Sequence, residues 1–154
     1  MPETANIPPL FRFSAPNHPS SPRVCRDAIA ALLHAKGEAE ELTETARLLV
    51  SEAVSNVHRH AAATRMIHIT VLAQAGAALI TVKDNEPYRH PLPRQAGTDD
   101  EAGRGLLLMQ ELAFKWGVRL LGSPEPTRKQ IWFEVRAPQA NGAPQADLAP
   151  EKGE

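Results

Sequence analysis

Residues 42–62 read LTETARLLVSEAVSNVHRHAA, and the fold turns on how that stretch is resolved. At helical spacing Leu42, Ala46, Leu49, Val50, Ala53, Val54, Val57 and Ala61 fall within one broad arc. The pattern predicts a long amphipathic helix with that arc buried. Glu52, Asn56 and His60 follow one another at i, i+4 and i+8, so they stack along one edge of the arc. Polar residues on the border of a buried face are placed to meet a ligand. They are equally placed to meet solvent at an ordinary helix boundary, and this helix alone leaves both readings open.

The surrounding chain narrows the class. With 154 residues it suits one domain with a sizeable core. Lys plus Arg is 17 against 18 for Asp plus Glu, a net charge of -1, which gives no support to a general nucleic-acid or membrane-surface binder. One cysteine excludes an intrachain disulfide, and Cys25 falls on the apolar side of a predicted helix, as a buried thiol would. No apolar run approaches the length of a spanning helix, and MPETANIPPLF lacks the basic-then-apolar order of a signal peptide. A cytoplasmic location is therefore expected.

Taken in order, residues 1–9 are polar and Pro-rich and read as a flexible N-terminus. Leu10 to Phe13 alternates briefly as an edge strand. Ser21-Pro22 gives a helix start, with Ser21 as N-cap and Pro22 in the first helical position. Cys25, Ala28, Ile29, Leu32 and Leu33 keep helical spacing up to Gly37, a natural stop. The long helix then runs from about Glu41–Thr43 to Ala62. Beyond it the period becomes two. Ile67, Ile69 and Val71 alternate with His68 and Thr70, and after a turn at Gln74-Ala75-Gly76 a second strand, Ala77 to Asp84, puts Ala78, Ile80 and Val82 on one face. These two runs form an antiparallel hairpin. Residues 85–102, NEPYRHPLPRQAGTDDEA, show no periodicity; loops this long are functional lids or disordered segments. Gly103-Arg104-Gly105 opens an apolar helix from Leu106 to Ala113. Strands follow at Trp116–Leu121 and Gln130–Arg136. Residues 137–154 read as a disordered Pro, Ala and Gly-rich tail. Hairpin-connected strands with helices grouped between them predict an α+β fold, a two-layer sandwich over residues 10–136.

Several residues on this frame can carry chemistry. Asp84 shares a face with Ile80 and Val82, so its carboxylate lies at the rim of the core and needs a donor. A backbone amide, an arginine or a ligand amino group would each serve. Gly103-Arg104-Gly105 stands at a helix start, where backbone approaches closely and unpaired N–H groups suit a phosphate; a plain helix-entry turn has the same composition. Asn56 offers a neutral oxygen fit for a magnesium ion that keeps its waters and binds phosphates. Glu52 could accept a proton from a hydroxyl or orient a water. Arg59 and His60 suit the cap of the helix C-terminus or a partner in the lid, and His58 falls on the solvent side.

The order of these features is more specific than any one of them. SEAVSNVHRHA, VKDNEP and GRGLLLMQELAFKWGV resemble, in sequence, the three boxes of the histidine-kinase-like (Bergerat-type) ATPase fold. Gyrase-type ATPases, heat-shock chaperones, sensor kinases and mismatch-repair ATPases share that fold. KQIWFEV is similar to its last strand. The nearest likeness is to the small bacterial anti-sigma-factor serine kinases, over about residues 10–136. The resemblance implies ATP and Mg2+ as ligands, with Asn56 holding the magnesium ion and Glu52 as catalytic base. Asp84 would accept from the adenine amino group. Gly103, Arg104 and Gly105, with Leu106 after them, would lie against the phosphates under the 85–102 lid. It further implies a sigma factor and an anti-sigma-factor antagonist as protein partners, and a possible homodimer, with no direct contact to nucleic acid or membrane. One position departs from the pattern: Glu86 stands where much of the superfamily has a glycine beside adenine. A nucleotide-binding module without phosphotransfer is the alternative expectation.

Overall fold

The elements follow in chain order as β1 (Leu10–Pro16), α1 (Ser21–Ala35), α2 (Glu40–His60), β2 (Met66–Gln74), β3 (Ala77–Asp84), α3 (Glu101–Leu112), β4 (Lys115–Leu121) and β5 (Arg128–Arg136). This computed structural model describes residues 7–87, 101–138 and 148, with residues 101–106 described as helix but not in their side chains. The strands form one antiparallel sheet in the order β1-β2-β3-β5-β4. The expected α+β two-layer architecture is what the chain adopts.

Strand alternation sorts the sheet into two faces. Ile67, Ile69 and Val71 of β2, Ala78, Ile80 and Val82 of β3, and Ile131, Phe133 and Val135 of β5 are buried on the face toward the helices. Seven of the arc residues, Leu42 to Val57, lie in α2 and are buried against them, as is Ala61 just past its end. Burial of each large apolar side chain contributes about 1.5–3 kcal/mol, so this shared layer dominates the fold's stability. α2 is the central element of the helical layer, packing on α1, α3, β3 and β5. Its charges also suit its dipole, with Glu40 and Glu41 in the first turn and His58, Arg59 and His60 in the last.

Two local expectations need correction. Ser21 is not the cap of α1; it is the first helical residue, buried, and its hydroxyl donates to the Pro16 carbonyl, while Ser20 takes the cap position with its hydroxyl bonded to His18 Nδ1 and not to the helix backbone. A tertiary acceptor has outcompeted the helix end. α3 begins at Glu101 instead of Leu106, so Gly103-Arg104-Gly105 lies inside its first turns, where acidic residues favour helix entry. β5 sits between β3 and β4, a strand order that local periodicity does not encode. Gly37 does end α1 as expected, at φ +75, with its N–H bonded to the His34 carbonyl.

The C-terminal residues 139–147 and 149–154, residues 1–6 and most of the expected lid, 88–100, lie outside the described residues. Leu148 is described. It is buried with Ala77 and Leu79 beside Leu72 and Trp132, on the sheet face away from the helices, and its N–H donates to Glu134 Oε1 at 2.9 Å.

Cys25 is fully buried in α1, and burial pushes its thiol up from 9.0 to about 11. At a pH of about 8 the thiolate population is then about a hundredfold below that of an unperturbed thiol. Labelling by an aromatic disulfide reagent is accordingly expected to be at least about a hundredfold slower in native protein than in denaturant. Comparable rates would mean that α1 opens freely. The unfolded chain ionises first, so Cys25 makes stability fall as pH climbs from 9.0 towards about 11.

Candidate functional site

One end of the sheet gathers the polar residues singled out above. There the C-terminus of α2, the connection 61–65 and the end of β3 are tied together by side chains. Asn17 Nδ2 donates to the carbonyls of Ala61 at 3.2 Å and Thr64 at 2.9 Å, and Asn17 Oδ1 meets His58 Nδ1 at 3.0 Å. Thr64 Oγ1 in turn accepts from the Asn85 N–H at 3.0 Å. These bonds satisfy carbonyls just beyond the helix end and hold α2 in a fixed relation to Asp84. His58 is exposed as expected, yet it takes part in this brace.

On α2, Glu52 and Asn56 come together through Arg59. Arg59 Nη2 lies 3.8 Å from Glu52 Oε2 and 3.3 Å from Asn56 Oδ1, so the guanidinium bridges the two side chains one turn apart. Glu52 remains partly exposed, whereas Asn56 is buried at 4%. His60 continues the same edge, half-buried. Asn56 Nδ2 has no hydrogen-bond partner among the described residues. Leaving a buried donor unpaired costs about 1–3 kcal/mol, so this carboxamide is a group with unused hydrogen-bonding capacity.

Asp84 lies on the helix-facing side of β3 and is buried at 3%. Both kinds of protein donor open to it are used. The Glu86 N–H donates to Oδ1 at 2.8 Å, and Lys129 Nζ stands 3.4 Å from Oδ2, from the register-paired position on β5. The lysine supplies the charge where an arginine was the alternative. Burial pushes the Asp84 carboxyl up, opposed by the Glu86 N–H and by Lys129. A carboxylate has about four lone-pair sites, so these two contacts leave capacity for a ligand N–H.

Gly103, Arg104, Gly105 and Leu106 fall in the first half of α3, the helix that packs on α2. Their side chains, and residues 88–100 of the expected lid, lie outside the described residues.

Lys129, Thr64 and Asn17 escaped the sequence reading. Lys129 had a visible signal: extending the alternation Ile131, Phe133, Val135 back by one step places it on the inner face. Thr64 and Asn17 had none, because each acts through contacts with distant segments.

Whether a hydrated cation on phosphates suits this site is decided by Asn56. Among the described residues its oxygen is engaged only by Arg59 at 3.3 Å, leaving a lone pair, and its NH2 has no partner; a cation and a phosphate oxygen are groups that complement the two. Among the described residues no group of three or more His, Cys, Asp or Glu forms a metal cage. Among the described residues no helix is long and apolar enough to cross a membrane.

Comparison with known proteins bears on the family and the fold. A family model described as the histidine kinase-like ATPase domain matches residues 15–133. An uncharacterised protein of Streptomyces coelicolor is 34% identical over 99 residues, which span 59% of this chain and 93% of that protein. Among solved structures, the RsbU and RsbW domains of Rv1364c from Mycobacterium tuberculosis match with a TM-score of 0.61 at 16% identity. That match covers 83% of this chain and 32% of the other, so this chain spans about a third of its solved neighbour, and the likeness is one of fold.

Proposed function

This chain belongs to the histidine kinase-like ATPase domain family, and from that premise we propose that it binds ATP in the cleft between α2, α3 and the end of β3 and acts as an anti-sigma factor and protein-serine kinase. What supports the nucleotide reading is the buried Asn56 carboxamide, half-satisfied among the described residues, on the helix that packs on β3, the strand that ends in Asp84. The kinase and partner-switching parts rest on the sequence likeness to the small anti-sigma-factor serine kinases. A fold neighbour that carries an RsbW domain lends that part support. In this reading the partners are a sigma factor, which the protein would bind and inhibit, and an antagonist protein, which it would phosphorylate. A homodimer is part of the same proposal.

Asn56 would hold the magnesium ion through Oδ1, and the Asn56 NH2 would then find an acceptor on the nucleotide. Magnesium, when bound, neutralises phosphate charge and lowers the cost of charge development on the transferred group. Asp84 would orient the adenine by accepting from its amino group. The backbone of Gly103, Arg104, Gly105 and Leu106 would line the phosphates. Glu52, held by Arg59 beside Asn56, would take the proton of the antagonist's serine hydroxyl as its oxygen attacks the γ-phosphorus and ADP departs.

Glu52→Gln tests the catalytic half of the proposal. With γ-labelled ATP and a cognate antagonist, transfer is expected to fall by about a hundredfold or more while ATP binding by calorimetry stays within a few-fold. Undiminished transfer would remove Glu52 from the mechanism. Glu86 favours a second reading, a regulatory module that binds nucleotide to order its partner surface without transferring phosphate. Its side chain stands where much of the superfamily has glycine, although its N–H serves Asp84. Nucleotide binding with no labelled product from any antagonist selects that reading.

A further inference from the structure

The sheet face away from the helices carries a second concave site that the proposed nucleotide cleft does not use. Strand alternation sends Arg12 and Ser14 of β1, His68 and Thr70 of β2, Lys83 of β3 and Arg128 of β5 to this face. They line a cavity of about 440 Å3. That volume lies within the range of small-molecule sites. Three full cations converge on it, in a chain whose net charge is only -1. Among the described residues none of the three forms an ion pair with a carboxylate, whereas Glu134, the buried acid on this face, is engaged by Arg136 at 2.7 Å and by the Leu148 N–H.

Like charges gathered in a concavity repel one another and stabilise nothing in the folded chain by themselves. The effect registers on Lys83, whose ammonium is held below its usual range by burial, then by Arg128 and Arg12. Neutral donors complete the lining: the Ser14 hydroxyl sits 2.7 Å from His68 Nδ1, and the Thr70 hydroxyl bonds that of Thr81. Two guanidinium forks with an ammonium between them match the oxygens of a phosphate group better than a single carboxylate, because each fork binds two oxygens at once.

We propose that this outer-face cavity is a binding site for a compact polyphosphate, held by Arg12, Lys83 and Arg128 with His68 and Ser14 at its rim. The site is independent of the ATP cleft. Lys83 precedes Asp84 and Arg128 precedes Lys129, and the alternation that sends Asp84 and Lys129 inward sends their neighbours outward. The two sites therefore stand back to back across one layer of sheet.

Pyrophosphate without magnesium is the probe, titrated into the full chain at low ionic strength and followed by amide and histidine-ring NMR. Saturable binding is expected, with the largest shifts at Ser14, the His68 ring, Thr70 and Lys83. Lys83→Met and Arg128→Ala are each expected to weaken it by about tenfold. Asn56→Ala should leave it unchanged, which separates this site from the nucleotide cleft. The proposal is overturned if binding does not saturate, if the shifts map to α2 and α3, or if the Lys83→Met/Arg128→Ala double variant, folded by its amide spectrum, binds as tightly as the natural chain.

Discussion

Asn56→Ala is expected to reduce magnesium-dependent nucleotide binding and phosphotransfer by roughly a hundredfold or more while leaving the melting temperature unchanged or raised. The two halves of this expectation come from the same atoms. Among the described residues the buried Asn56 NH2 has no partner, and its oxygen receives one long bond from Arg59. Removing an unpaired buried donor relieves about 1–3 kcal/mol, which offsets the small volume lost. A residue retained for packing would behave in the opposite way. Loss of binding with stability kept is the signature of a group held in readiness for a ligand. Thermal denaturation and calorimetric ATP titration of the variant check the two halves separately. A variant that melts several degrees lower and binds ATP normally would reduce Asn56 to a structural residue.

The second large effect concerns Lys129, which sequence reading passed over. Lys129→Met removes the ammonium beside Asp84 and leaves a carboxylate buried at 3% without that counter-charge, so a loss of about 3–5 kcal/mol is expected near neutral pH. The loss should depend on pH in a definite direction. The folded-state Asp84 carboxyl is already pushed up by burial, and without Lys129 it rises further. The folded chain then keeps a proton that the unfolded chain has given up, so stability falls as pH rises through the raised value. Denaturant melts should show a wide gap to the natural chain at a pH of about 8 and a narrow one at about 5. Asp84→Asn in the Lys129→Met background should recover much of the loss, because neither member of the pair is then charged. A gap that does not change with pH would mean that Lys129 acts through packing and not through Asp84.

What could be read ahead of the structure divides along physical lines. The buried arc of α2 and the bounds of β3 were legible because each is written as a local period. One side of each element faces apolar neighbours, whichever those neighbours are. The entry to α3 was placed too late because Glu101 and Ala102 close a charged, aperiodic run; acids at a helix start carry their signal through the dipole and not through hydrophobic period. Ser21 had the composition of a cap, and its hydroxyl went to Pro16 instead, a choice that only the packed chain makes. Strand order, the Asn17 brace and the seat of Leu148 lay beyond reach for the same reason: each joins residues far apart in sequence with no repeating pattern between them.

The site was legible in part. Its residue types and their order pointed to one family, and the family match over residues 15–133 agrees. The chemistry around those residues was not legible. Asp84 meets Lys129 and Glu86 N–H inside the protein, so any adenine contact shares a carboxylate already engaged. Glu52 is tied to Arg59, so a base at this position must work beside a guanidinium.

Nucleotide binding in this cleft is the claim on which the rest stands, and the Asn56 side-chain amide is its most direct reporter. Titrating the full chain with ATP, with and without magnesium, while following that NH2 group by NMR should shift its resonances saturably and slow its exchange with solvent, with magnesium strengthening both effects. Asn56 resonances unmoved at millimolar ATP and magnesium would contradict the account.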